Sequence, residues 1–389
     1  MAAPTNYYVD PSINADSGSG TVGSPYGDLE YCLEQITRDA TNGDQINIKS
    51  GTAEVLELAL DVVTDYGVPA EGSPLIFKGY DTAANDGGIG EISGGGSVSI
   101  HFDGTTDYIH FVDLHLHDSG SNVLLKIDGN CFLINCELNG SSLSNNADGM
   151  VTLDGGDATM FNCYLHGYTG NEQAALSYSR QDQIGCYLDA GNNTTGVDFS
   201  GAPKGFWCFN IYTSNTNNPW KPNTGRYLTV AERSLYFNCT LYKPAGGSAS
   251  TYRAGVGGNS LDMHHCGWWN IHVENWSGTN QYGYYFFEDE GVMILGGNSS
   301  YNCTTDTNYS TSFEYRLFED SATDDFGMAA SPLEDPANGD FRLKTSRKGA
   351  SIPFWKAASG VLNCTNNMDP GAVQRKEIRE RSFPFIISD

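Results

Sequence analysis

An Asn-Cys pair set inside a short apolar run keeps returning along this chain: "CFLINCELNG" at 131–140, "ATMFNCYLHGY" at 158–168, "RSLYFNCTLYK" at 233–243 and "SSYNCT" at 299–304. With the related runs "DQIGCYL", "GFWCFNI" and "DMHHCGWWNIHV", cysteines fall at 136, 163, 186, 208, 239, 266 and 303, spaced by subtraction at 27, 23, 22, 31, 27 and 37 residues. A period with a floor near 22 and a variable excess is the signature of a solenoid. Neither a leucine consensus nor a 3.6-residue periodicity accompanies it. The runs are β-branched and aromatic with Gly, Asn and Asp between them, so the repeating units are strands joined by turns.

The architecture this predicts is all-β: a right-handed parallel β-helix, each coil using about 22 residues for three short strands and growing where a turn takes an insertion. Equivalent residues then stack at about 4.8 Å. Cysteine is compact enough to stack inward in a narrow core, and an Asn beside the turn can join a side-chain amide ladder. Cys136, Cys163, Cys186, Cys208 and Cys239 are therefore expected along one inner face, unbonded. Runs at 44–52, 73–81 and 107–120 extend the series without cysteine. That makes roughly ten coils and a rod of about 50 Å. Residues 28–38, "DLEYCLEQITR", put Leu29, Cys32, Leu33 and Ile36 on one helical stripe behind an Asp28 N-cap, as a lid over the first coil requires. The expected division is a leading segment 1–27, a capping helix 28–38, a β-helix with closing segment 39–375, and a tail 376–389.

Composition narrows the partners. A formal charge of -26 repels phosphate backbones, so nucleic acid is not expected as a partner. No run reaches the roughly 18 apolar residues of a membrane span. The opening "MAAPTNYYVDPS" has neither the basic nor the apolar region of a secretory leader, which predicts synthesis in a cytoplasm. Ten cysteines without any CxxC pair then read as buried, reduced thiols.

Both ends of the chain carry motifs. The opening "NYYVDPSINADSGSGTVGSPYGDLEYCLEQI…GDQINIKSGT" and the closing "DPANGDFRLKTSRKGASIPF…MDPGAVQR" resemble the first and last segments of pectate-lyase-like right-handed β-helix proteins. The resemblance spans residues 6–375 and implies the fold, with the closing segment terminating the helix. It does not imply one function, because this fold hosts lyases, hydrolases, adhesins and viral spikes.

Candidate chemistry is sparse. Glycosidases need paired carboxylates, and "NNADGMVTLDGGD" offers Asp154 and Asp157, but the Gly-His-Gly and Arg-Ile-Lys motifs of polygalacturonase-like enzymes do not follow. Glu288 and Glu290, in "YGYYFFEDEGVMIL", would share a strand face beside Tyr284, and Trp268 and Trp269 could stack on sugars. His115 and His117 also share a strand face, but no third ligand can be named, so no metal and no cofactor is expected. The tail "KEIRERSFPFIISD" carries Phe383, Phe385, Ile386 and Ile387, an apolar run that needs cover from its own β-helix or a docking partner.

Two readings of function result. The first is a non-enzymatic structural protein of a bacteriophage virion, decorating the capsid or forming part of a head or tail fibre, with capsid or tail proteins as partners and a trimer as the first guess. Its β-helix motif begins by residue 6, which leaves no room for the particle-binding domain that usually precedes a tailspike β-helix. The alternative is a polysaccharide-degrading or glycan-binding β-helix, a hydrolase or lyase, facing a host-surface glycan.

Overall fold

The computed structural model describes residues 3–13, 15–56, 60, 62–95, 100–102, 108–117, 123–127, 129–141, 149–153, 156–167, 176–177, 181–189, 197–200, 206–208, 210–213, 220–222, 235–237, 239–242, 267–269, 272–275, 282–286, 292–296, 299–301, 305–309, 315–317, 331, 333–338 and 340–343. The chain divides into two units, residues 1–182 with 189–194 and 198–201, and residues 183–188, 195–197 and 202–389.

In the first unit the chain repeats a three-strand cycle. One sheet pairs Thr5–Val9, Asp44–Lys49, Leu75–Tyr80, Ile109–Val112, Cys131–Ile134 and Ala158–Phe161 in that order, every pair parallel. A second sheet joins Glu54–Val55, Gly90–Ser93, Leu114–His117, Glu137–Asn139 and Tyr164–His166, again all parallel. A third joins Ile100–Phe102, Val123–Ile127, Gly149–Leu153 and Leu176–Ser177. Spatial neighbours therefore come from successive coils, which is a parallel β-helix, and crossover chirality selects its right-handed form.

The second unit continues the cycle. Gln183 and Ile184 pair with Trp207 and Cys208, and that series runs on through Leu235–Phe237, Gly267–Trp269, Val292–Gly296 and Tyr315–Leu317. A parallel series of Ile211–Thr213, Thr240–Tyr242, His272–Glu274 and Ser299–Tyr301 accompanies it. Among the described residues the first-sheet series has six strands in each unit, against the roughly ten coils that the spacing predicts.

Period-two alternation builds the core. Ile46, Phe77, Phe111, Leu133 and Met160 form one inward column across the first sheet, and Leu75, Ile109, Cys131 and Ala158 another. Ile92, Leu116, Leu138 and Leu165 line the second sheet from within. Phe77, Phe102 and Phe111 meet at centroid distances of 5.0 to 5.7 Å, filling the centre with aromatic rings.

The Asn-Cys pair is the corner between the first and second sheets. Asp113, Asn135 and Asn162 hold φ of 54°, 53° and 52°, the left-handed region that Asn and Asp tolerate better than other side chains. Their side chains ladder: Asn135 Nδ2 donates to Asp113 Oδ1 at 3.1 Å, and Asn162 Nδ2 donates to Asn135 Oδ1 at 2.8 Å. The following cysteines are buried, and each thiol reaches back one coil. Cys136 Sγ donates to the Phe111 carbonyl at 3.4 Å, and Cys163 Sγ to the Leu133 carbonyl at 3.3 Å. A weak S–H donor on a compact side chain suits this corner.

Cys208 departs from the expected column. Ile184 pairs with Cys208 and Ile211 pairs with Thr240, so the position level with Cys239 is taken by Asn210, and Cys208 lies two residues earlier in a first-sheet strand. Asn210 is fully buried; its Oδ1 accepts from the Cys186 backbone N–H at 2.8 Å and its Nδ2 donates to the Gln183 carbonyl at 3.0 Å. An amide that satisfies two backbone groups replaces a thiol there.

The capping helix spans Leu29–Gln35, shorter than the expected 28–38, because Ile36 is already extended at φ -83°, ψ 144°. Its Asp28 N-cap accepts from the Tyr31 N–H at 2.8 Å, and Leu29, Cys32, Leu33 and Ile36 are all buried. The opening motifs are joined by an ion pair from Lys49 to Asp10 at 2.6 Å. Within the second unit the "DFRL" motif forms an antiparallel pair, Leu333–Asp335 with Asp340–Leu343. Phe341 and Leu333 pack against Tyr187 and Tyr242 on the second-sheet series, burying that outer face.

A candidate metal centre on the second sheet

The same alternation that sends Leu114, Leu116, Leu138 and Leu165 into the core leaves their neighbours on the outside. In the first unit these are Glu91, His115, His117, Glu137, Tyr164 and His166. Parallel register places Glu91, His115, Glu137 and Tyr164 in one column, with His117 beside Ser93 and His166 beside Asn139. Four successive coils thus present imidazole, carboxylate and phenol groups on one face.

The groups interact. Glu137 Oε1 lies 2.8 Å from His166 Nε2 and 3.9 Å from His115 Nε2, while Glu91 Oε2 lies 3.7 Å from His117 Nε2. The His115 and His117 rings stack at 4.5 Å, and Tyr164 stacks on His166 at 4.1 Å. One ligand atom from each of Glu91, His115 and His117 falls within 4.8 Å of the other two. His115 Nε2 is shielded from solvent and has no hydrogen-bond partner among the described residues. Burial holds the His115 imidazole below its usual range, with the Glu137 and Glu91 carboxylates acting in the opposite direction. Burial, then Asp189 and Glu137, raise the Tyr164 phenol. The arrangement can do two things chemically: coordinate a cation through nitrogen and oxygen donors, or pass a proton between Glu137 and His166.

The third group that stands with His115 and His117 is Glu91, in "GGIGEISGG". It precedes His115 by 24 positions (115 − 91), and only the strand register brings it alongside. No local pattern in the sequence marks it.

Other residues singled out by sequence fare differently. Asp157 is exposed, and its backbone N–H donates to Asn130 Oδ1 at 2.7 Å while its carbonyl accepts from the Cys131 N–H at 3.0 Å. Trp268 and Trp269 occupy strand positions level with Tyr236 and Phe237, and Tyr284 lies level with Thr307. Asp154, Glu288, Glu290 and the tail residues Phe383, Phe385, Ile386 and Ile387 lie outside the described residues.

No family model and no curated protein matches the chain. Among solved structures it is similar to pectate lyase Pel9A, with a TM-score of 0.49, 13% identity, and 96% of this chain and 97% of that one covered. It is also similar to a rhamnogalacturonan lyase, at a TM-score of 0.36 and 11% identity, covering 83% and 87% of the two chains. A pectin methylesterase in complex with a hexasaccharide gives a TM-score of 0.32 and 11% identity, covering 88% and 99%. All three are proteins of the β-helix type, as is the strand pairing described above.

Proposed function

We propose that this chain is a structural protein of a bacteriophage particle, a rigid β-helix displayed on the capsid or built into a head or tail fibre. The observation that supports it is the construction itself. All seven described cysteines are buried and unbonded, and the corners between sheets are locked by side-chain ladders. A fold of this kind assembles in a reducing cytoplasm, where particles are built, and its stability rests on translational repetition. Strong net negative charge keeps it off packaged nucleic acid. The test is quantitative mass spectrometry of purified particles from a host expressing the gene. Copies in the hundreds support capsid decoration, a few support a fibre, and absence from particles refutes the proposal.

A second reading, action on a host glycan, is favoured by the Glu137–His166 pair with Tyr164 stacked beside it on an outer face. Paired ionisable groups next to an aromatic ring are what general acid–base chemistry on a sugar requires. Reducing-end release from a panel of acidic and neutral glycans, compared between the native chain and Glu137→Gln, separates the two readings. Activity lost in the variant establishes the enzyme; no release by the native chain removes it.

A further inference from the structure

We infer that Glu91, His115 and His117 form a binding site for a divalent d-block metal ion of the Zn2+ class, which clips two successive coils of the first unit together. The inference is independent of the reading of the chain as a particle protein. Three observations carry it. His115 and His117 stand two apart on one strand, so both imidazoles leave the same side of the sheet, and Glu91 reaches them from the adjacent strand. Their ligand atoms already lie within 4.8 Å of one another, whereas a tetrahedral ion with bonds of about 2.0–2.1 Å needs donors about 3.3 Å apart. A bound ion draws the three side chains together across that gap. Finally, His115 Nε2 is a solvent-shielded nitrogen with no hydrogen bond among the described residues, an arrangement that costs free energy unless something accepts its lone pair or proton.

The donor set selects the ion. Two imidazoles and one carboxylate are nitrogen-rich and poorly matched to Ca2+ or Mg2+, which want six or more oxygens or their own waters. Two histidines and a glutamate with a fourth position open to solvent suit Zn2+. Glu137, 3.9 Å from His115 Nε2 and 2.8 Å from His166 Nε2, adds negative charge beside the cation without belonging to the triad. Both ends of the clip are held by the core: Ile92 and Leu116 fix the two strands from the inside.

The test uses the full chain, free of any affinity tag, stripped with a chelator and titrated with Zn2+ by calorimetry, with bound metal counted by mass spectrometry. One zinc per chain is expected, together with a rise in melting temperature that EDTA reverses. Glu91→Gln and His117→Ala should each weaken binding by about tenfold or more. Both should keep the circular dichroism and the metal-free melting temperature of the native chain, which separates loss of a ligand from loss of fold. Glu137→Gln should still bind one zinc. Stripped native protein that takes up no zinc overturns the inference. So does zinc uptake that Glu91→Gln and His117→Ala leave unchanged, or that Glu137→Gln alone abolishes. Tetrahedral Co2+ absorption that appears in the native chain and is lost in His115→Ala would support it by a second readout.

Discussion

Asn162 donates from Nδ2 to Oδ1 of Asn135 across 2.8 Å, and both residues hold a left-handed backbone with φ near 52–53°. One residue type thus does two jobs at the corner, tolerating the conformation and linking one coil to the next.

Asn162→Ala should remove both, at a cost of about 1–2 kcal/mol for strain plus about 1 kcal/mol for the hydrogen bond. Asn162→Gly keeps the conformation and loses only the link, so it should fall between alanine and the native chain in urea denaturation. Gly185, at φ 66° in the same motif position of "DQIGCYL", illustrates that alternative. Equal stability of the alanine and glycine variants would disprove the role of conformation.

Asn210→Ala should be more damaging, because it strips partners from the buried Cys186 N–H and Gln183 carbonyl together. A loss of about 2–4 kcal/mol is expected, measured as a shift in the urea midpoint at unchanged slope. A shift smaller than that of Asn162→Ala would show the amide to be dispensable.

The thiols should be inert in the folded protein. Burial pushes Cys131 up to about 12 and raises Cys32 and Cys208 as well, so little thiolate is available at neutral pH. An aromatic disulfide reagent should label at most the three cysteines beyond the seven described (10 − 7), until denaturant is added. Rapid labelling of Cys136 or Cys163, located by peptide mass mapping, would contradict their place in the core.

Glu54 should make stability fall with rising pH. Its carboxyl accepts from the Leu29 N–H at 3.1 Å at the start of the capping helix, and burial pushes its pKa up to about 8 from 4.5. The folded state therefore holds a proton that the unfolded state releases, so the contribution is fully present below about pH 4.5 and is lost as pH rises through about 8. Glu54→Gln should remove that dependence and stabilise the protein by on the order of a few kcal/mol above pH 8. Parallel melting curves for both proteins between pH 5 and 9 would refute this.

Much of this architecture was written in the local pattern. A spacing of 22 to 37 residues, an Asn for the left-handed corner and a small apolar residue after it can each be read from the sequence, so one strand announces the next. Cys208 misled because only register distinguishes it: in the other coils the cysteine stands two positions before Leu138, Leu165, Leu188 or Leu241, whereas Tyr212 is level with Leu241 and Asn210 stands two before it. The His115–His117 face was visible from alternation, but Glu91 was not, because its proximity depends on pairing between coils and no periodic signal marks an outward carboxylate. The closing hairpin was recognisable as a motif, while the face it covers depends on Tyr187 and Tyr242, far from it in sequence.

The side-chain links between coils run both ways. Asn135 donates to Asp113, Asn162 to Asn135, Cys136 to Phe111, Cys163 to Leu133 and Asn210 to Gln183, each toward the preceding coil. Ser50 donates to Asp81 and the Cys186 N–H to Asn210, each toward the following one. Asn135 gives its hydrogen to one neighbouring coil and accepts one from the other, so a single amide couples three coils. A cut at that residue divides the ladder, whereas a cut at either end only shortens it.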